Sequence, residues 1–284
     1  MSFNDWFGLV VGNSRWHWAR FENDTLVEHW HTPYLKKQQL AQLVEQAWSP
    51  QAWQQIDPQL QLSSLSTLPE APVSVSPSHQ QAAVANHPQP DIWVASVVQA
   101  QIDVLAQTLS IHTVQPDQIP LEGRYPTLGL DRILNLWGAS LRYGWPIIVI
   151  DAGTALTLTA GHERRILGGL ILPGLTLQAR ALSAKIAALP EISFQGMRSF
   201  PSLWATSTAE SIQSGILYTT LSGIENHLHQ WWCQYPTGTA VFTGGDGELL
   251  YRLYKQRTPV SNTEVRLEPN LMYWGLRAYR RLEI

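Results

Sequence analysis

Residues Ile147 to Thr159 read IIVIDAGTALTLT: four apolar β-formers run into an aspartate, a small residue, a glycine and a threonine, and alternation resumes at Leu156 and Leu158. The pattern predicts a buried strand, a tight turn and a returning strand. The same grammar stands earlier, in Gly8 to Phe21, GLVVGNSRWHWARF, with a turn through Gly12, Asn13 and Ser14 and an alternating return through Trp16 and Trp18. Aligning Gly12 with Gly153 gives an offset of 153 − 12 = 141, and the helix-like Leu35 to Trp48 then falls on Thr176 to Leu189. Two copies of strand, strand, strand, helix leave a chain few ways to fold. They predict an α/β architecture in two similar halves with a ligand-binding cleft between them.

The turn itself has a chemical meaning. A carboxylate at a strand's end, followed by residues with little side chain, lets backbone N–H groups approach a bound anion, while the carboxylate holds a cation beside it. That is phosphate and metal chemistry in outline.

Composition narrows the field around this repeat. A chain of 284 residues can form one large domain or two modest ones, each with a core, and the repeat favours two. A formal charge of −3 offers no electrostatic footprint for nucleic acid or an anionic membrane. The single cysteine, Cys233, cannot staple the chain, and no apolar run reaches the roughly 20 residues of a membrane span. A cytoplasmic location is therefore expected. The 13 tryptophans are read as core and interface packing, since aromatic rings bury large areas wherever they fall.

Along the chain, Leu40, Leu43, Val44 and Trp48 keep helical spacing. From Ser49 to Pro90 the prolines break any long element, and a variable loop region is expected over 49–90. Ile92 to Val98 reads as a buried strand, followed by a weak helix through Leu105 and a short strand at Ile111 to Val114. The polar, proline-punctuated Pro116 to Thr127 marks the boundary, giving domains 1–121 and 122–284. From Leu130 the residues Ile133, Leu134, Trp137 and Leu141 follow helical spacing, so Asp131 and Arg132 fall in a first helical turn, pointing away from the buried stripe. Ser207 and Glu210 fit a capping box opening a helix through Ile212, Leu217 and Ile224. Gly215 inside that helix costs about 1 kcal/mol relative to alanine, which calls for close packing or ligand access. Ala240 to Thr243 is one more strand, and Asn270 to Leu282 a closing helix.

Six motifs now stand in order: Gly-Asn-Ser at 12–14, Gly-x-Asp-Arg at 129–132, Asp-Ala-Gly-Thr-Ala at 151–155, Gly-Gly-Leu-Ile-Leu-Pro-Gly at 168–174, a Thr-x-x-Ser-Ile-x-x-Gly run at 208–215, and Thr-Gly-Gly-Asp at 243–246. Together they resemble the type III pantothenate kinases, members of the superfamily of actin-like and sugar-kinase-like phosphotransferases. The likeness covers nearly the whole chain, least over 49–90. It implies two RNase H-like, actin-like ATPase domains related by duplication, with an interdomain cleft. It also implies ATP-dependent phosphorylation of pantothenate at its 4′-hydroxyl, the first step toward coenzyme A. A monovalent cation (potassium or ammonium), a divalent cation (magnesium) and a homodimer follow from the same resemblance.

Site residues follow by matching motifs. Asp131 matches the general base, and a helix N-terminus favours its ionised form on physical grounds as well. Gly129, Leu130, Asp131, Arg132 and Thr208 match substrate-binding positions, and Tyr125 is placed at the same pocket, although it stands closer to Gly129 than the family pattern has it. Asp151 matches the monovalent-cation ligand and Thr154 an ATP-binding threonine. Val10, Val11, Gly12, Asn13, Ser14, Arg15, Trp16 and His17 form the stretch expected along the ATP phosphates, with Gly244 and Gly245 approaching the nucleotide from the opposite wall. Two positions depart from the family pattern: Val10 stands where an aspartate is normal, and His17 near where a lysine is. Asp131, Asp151, the phosphates and water are then left to place the divalent ion. Two other readings of the residues remain open: a sugar or polyol kinase of the same superfamily, and a catalytically silent nucleotide-binding regulator.

Overall fold

The computed structural model describes residues 5–12, 14–60, 62, 90–96, 98–258 and 264–284. The chain divides into two compact units, Met1–Pro116 together with Tyr279–Ile284, and Asp117–Ala278. The last six residues, placed by sequence in the second domain, thus belong with the first unit.

In the first unit, β1 (Asp5–Val11), β2 (Trp16–Glu22) and β3 (Thr25–Thr32) form an antiparallel meander. β4 (Asp91–Ser96) adds parallel to β1, and β5 (His112–Thr113) parallel to β4, giving the order β3-β2-β1-β4-β5. β1 is buried over Trp6–Val11 because it lies at the centre of that sheet. The helices are α1 (Lys37–Glu45), α2 (Pro50–Ile56) and α3 (Gln99–Ala106). α2 falls inside the stretch expected to be loop, and its start has a cause: Ser49 Oγ accepts the Ala52 N–H at 3.3 Å and Pro50 occupies the first helical position. Residues 63–89 of that stretch lie outside the described residues.

Tryptophan packs this unit. Trp18, Trp30, Trp48 and Trp53 form a cluster of edge-on, stacked and tilted pairs, with centroids 5.0 to 6.4 Å apart. Trp6, Trp16, Trp18 and Trp53 are fully buried, which is the core role their composition suggested. The chain's end is tied here too: the Arg280 guanidinium grips Asp91 Oδ2 at 3.0 Å and Arg281 reaches Asp24 at 2.6 Å.

The second unit repeats the plan. β6 (Ile147–Ala152) pairs antiparallel with β7 (Ala155–His162), which pairs antiparallel with β8 (Arg165–Pro173). β9 (Thr239–Thr243) joins β6 in parallel and β10 (Val265–Leu267) joins β9, giving β10-β9-β6-β7-β8. Read outward from the central strand, both sheets have the same order and sense. The fold is therefore the expected duplicated α/β one, two RNase H-like sheets of actin-like type.

The helices here are α4 (Leu130–Tyr143), α5 (Leu175–Lys185), α6 (Thr208–Gln234), α7 (Gly247–Arg257) and α8 (Leu271–Glu283), the last ending in the first unit. α4 rests on β6 and β7 and is also crossed by α8, where Gly138 and Gly275 meet so closely that a Cβ on Gly138 would lie 2.7 Å from the Gly275 nitrogen. Two covered faces explain why Arg132 and the whole run Ile133–Ser140 are buried. That corrects the expectation that Arg132 points away from the buried stripe.

Candidate active site

α4 carries the acidic end of the site. Its N-cap is Gly129, and Asp131 sits in the first turn, where its Oδ1 accepts the Arg132 backbone N–H at 2.8 Å. The helix dipole and the unpaired first-turn N–H groups stabilise negative charge there. Asp131 is partly exposed, so its carboxylate is open to a ligand.

Asp151, at the end of β6, faces this helix. Asn135, one turn beyond Asp131, donates Nδ2–H to Asp151 Oδ2 at 2.8 Å. Burial pushes the Asp151 carboxyl up to about 7, the Asp131 charge adds to the rise, and the Asn135 bond opposes it. The two carboxylates thus feel each other's charge, which favours a counter-ion near them. Gly244, just past β9, completes this corner: its φ is +86°, and an added Cβ would lie 2.4 Å from Asp151 Oδ1 and 2.7 Å from the Ala152 oxygen. Only glycine lets the backbone pass so near the carboxylate. The Asp246 N–H, donated to the Ala152 oxygen at 2.8 Å, locks the turn to the end of β6, with Gly245 exposed beside it. Thr154 is exposed in the β6–β7 turn.

Arg132 is 5% exposed, yet its partners are all neutral. Nε donates to Thr159 Oγ1 at 2.8 Å, Nη2 to the Leu158 oxygen at 3.2 Å, and Nη1 to Tyr125 Oη at 3.0 Å. Gly169 on β8 makes room for it, since a Cβ there would sit 2.4 Å from Nη2. A buried guanidinium held by neutral groups is prepared for an anion. Tyr125, joined to it through the hydroxyl, is 41% exposed. Thr208, exposed at the start of α6, lies outside this hydrogen-bond network, and Ser207 Oγ caps that helix on the Glu210 N–H at 3.3 Å.

Among the remaining positions, Asn13 lies outside the described residues. The side chains of Val10, Val11 and Trp16 are buried in the first unit, so any contact they make with a ligand is through backbone. Gly12 donates its N–H to the Arg15 oxygen at 3.1 Å, its own oxygen accepts from Tyr34 Oη at 2.6 Å, and Ser14 and Arg15 are exposed. His17 packs edge-on against His31 at 4.6 Å. Burial, then His31 and Arg15, push its pKa down to about 4, so the ring is neutral near pH 7.

Sequence reasoning missed Asn135, Thr159 and Tyr34. Asn135 left a trace: a polar residue four positions after Asp131, inside an otherwise apolar run. Thr159 and Tyr34 carried none beyond being polar. Gly215 has open space where a Cβ would be, so close packing does not explain it; it lines a pocket of about 300 Å³ with Leu203, Trp204, Ser214 and Tyr218.

A duplicated RNase H-like fold with a carboxylate at a helix N-terminus, a second at the central strand's end and a glycine turn beside it defines an actin-like, sugar-kinase-like phosphotransferase. Comparison with known proteins narrows this. Residues 9–230 match the model of the family described as type III pantothenate kinase. A Nostoc sp. protein of that description is 36% identical over 274 residues, covering 96% of this chain and 93% of its own length. A Synechococcus sp. relative of the same description is 36% identical over 278 residues, covering 98% and 93%. The chain belongs to the type III pantothenate kinase family, and is accordingly an enzyme, a phosphotransferase that uses ATP to phosphorylate pantothenate on the way to coenzyme A. Among solved structures, a Baf family protein from Campylobacter jejuni shares the fold with a TM-score of 0.57 at 16% identity, each chain covered to 98%. No helix of the described residues is long and apolar enough to cross a membrane.

Proposed function

We propose that Asp131 is the general base for phosphorylation of the 4′-hydroxyl of pantothenate. The observation that carries this reading is the carboxylate at the start of α4, partly exposed, with Oδ1 tied to the Arg132 N–H, next to a second carboxylate, Asp151. The hydroxyl proton passes to Asp131 as the pantothenate oxygen bonds to the γ-phosphorus, and the bond from that phosphorus to the ADP oxygen breaks. Arg132 receives the pantothenate carboxylate, a role supported by its burial among neutral partners. Gly129, Leu130, Tyr125 and Thr208 complete the acceptor pocket. In the first unit the turn from Val10 to His17, and in the second Thr154, Gly244 and Gly245, are the phosphate-binding elements, acting largely through backbone N–H groups.

Asp151 is the ligand for a monovalent cation, potassium or ammonium. The fit is supported by its desolvated carboxylate, which feels the Asp131 charge beside it. Such an ion supplies positive charge near the phosphates. For magnesium the protein offers less: among the described residues no group of three His, Cys, Asp or Glu is arranged to hold a metal, and Val10 is buried where the family has an aspartate. Phosphate oxygens and water would be left to supply most of its ligands. Self-association as a homodimer is supported by exposed apolar residues of the second unit, including Ile171, Leu203 and Trp204.

A coupled ATP assay with pantothenate over a potassium series tests the core of this reading. Potassium-dependent turnover that is lost in Asp131→Asn is the expected result. Full turnover in that variant overturns the assignment of the base.

A further inference from the structure

Asn135 has no role above beyond its bond to Asp151, and its amide is only half used. The residue is 2% exposed; Nδ2 donates to Asp151 Oδ2, while Oδ1 is buried with no hydrogen-bond partner among the described residues. A buried oxygen left without a donor costs about 1–3 kcal/mol, so native structures rarely leave one. A helix interior also has better residues than asparagine. Leucine at this place in the apolar run would pack without the orphan atom, which points to a use for it.

Geometry suggests the use. Four residues separate Asp131 from Asn135, so both side chains stand on one face of α4, and the amide is directed at Asp151. Asp151 Oδ2 is engaged by the amide, and Oδ1 lies against the bare backbone of Gly244. The amide nitrogen binds Asp151 Oδ2, so the amide oxygen is carried beside the same carboxylate, and a neutral amide oxygen next to a carboxylate suits a large, weakly charged ion. Such ions accept neutral carbonyl oxygens in place of water, whereas a small divalent ion such as magnesium holds on to its waters and demands near-octahedral oxygen geometry.

We propose that Asn135 is a second ligand of the monovalent cation beside Asp151: its Nδ2–H fixes the carboxylate and its Oδ1 gives the ion a neutral oxygen. This rests on the reading of Asp151 as the cation's carboxylate. It adds to that reading a residue whose removal loosens the ion without removing charge.

The test is thermal unfolding of the full-length protein without nucleotide, in potassium chloride, ammonium chloride and tetramethylammonium chloride at equal ionic strength. The wild-type protein is expected to unfold at a higher temperature in potassium, and Asn135→Ala to lose most of that difference. Asn135→Asp keeps an oxygen and adds charge, so its potassium-dependent gain should exceed that of the wild type. In the kinase assay, Asn135→Ala should need about 10–100-fold more potassium for half-maximal activity. An Asn135→Ala protein with the wild-type potassium gain overturns the inference and leaves Asp151 standing. A wild-type protein indifferent to both potassium and ammonium overturns the Asp151 reading and this inference with it. Should Asn135→Ala not fold, Asn135→Asp decides: a potassium gain no larger than that of the wild type overturns the proposal, and means the orphan oxygen serves only a buried water.

Discussion

The β1–β2 turn and the β6–β7 turn stand at the same place in two sheets of the same order, and they have diverged in opposite chemical directions. At the offset of 141, Val10 corresponds to Asp151 (10 + 141 = 151). Val10 pairs with His17 across the first turn, and Asp151 with Thr157 across the second. The first turn is also one residue longer: Val11 faces Trp16, five positions on, and Ala152 faces Leu156, four positions on. One copy keeps an apolar strand end and a neutral imidazole; the other keeps a carboxylate, an amide donor and a glycine cleared for it. The backbone turn is common to both copies, while the strand-end carboxylate stands in the second, where α4 also brings Asp131.

The sharpest way to test that asymmetry is to remove the base. Asp131→Asn is expected to lower kcat for pantothenate by about 10²–10⁴-fold, the range general-base catalysis supplies. Its unfolding midpoint should not fall, because the amide oxygen can still accept the Arg132 N–H. A parallel loss of folding would make Asp131 a structural cap and erase the distinction between the units.

A substitution that forces the first turn to imitate the second has the next largest effect. Val10→Asp puts a carboxylate at a position 4% exposed, and the described residues place no counterpart of Asn135 there. A buried charge without a partner costs about 3 kcal/mol or more, so the urea midpoint should drop clearly in magnesium-free buffer. Wild-type stability in this variant would mean that the first turn already accommodates charge and that the two copies are chemically equivalent.

Much of this comparison was legible in the sequence. The repeat, both turns and the start of α4 follow from periodicity of two, periodicity of 3.6 and the placement of glycine, whereas the strand order of the sheets does not. What was not legible depends on packing from more than one side. The apolar stripe of α4 suggested a single buried face, but β6 and β7 cover one side and the Gly138–Gly275 crossing with α8 covers another, so Arg132 and Asn135 go inside. No one-helix pattern contains that second layer. α2 is hidden for a different reason: its 7 residues, Pro50–Ile56, are too few to show helical periodicity, and only the Ser49 cap followed by Pro50 marks its start.

The first turn has its own signature in pH. His17 has a native pKa near 4 against an ordinary 6.5, lowered by burial, then by His31 and Arg15. The unfolded chain therefore binds a proton between those values that the native state refuses, and stability falls as pH drops from about 6.5 toward 4. After discounting for partial exposure the loss is about 2 kcal/mol, and His31, lowered in the same direction, adds to it. His17→Gln should flatten this limb in urea unfolding measured at successive pH values. An unchanged slope would remove the neutral imidazole as a distinguishing feature of the first turn.

The smallest expected effect concerns Asp151, and its sign is the informative part. Its folded pKa is raised from 3.8 to about 7, so ionisation is disfavoured in the native state and stability is lost as pH rises from about 4 through 7. Asp151→Asn keeps the shape and removes that charge. At pH 7.5 in potassium-free buffer the variant should be more stable than the wild type by about 1 kcal/mol, a small part of the shift because Asp131 shares it. Activity should fall in the same variant, and addition of potassium should narrow the stability gap by stabilising the wild type alone. A carboxylate that weakens the empty protein yet is needed for turnover is held there for its ligand, whereas Val10 at the equivalent position contributes only packing. If Asp151→Asn proves less stable than the wild type without potassium, the carboxylate is a structural hydrogen-bond acceptor for Asn135, and the chemical difference between the two turns reduces to one more way of filling the same corner.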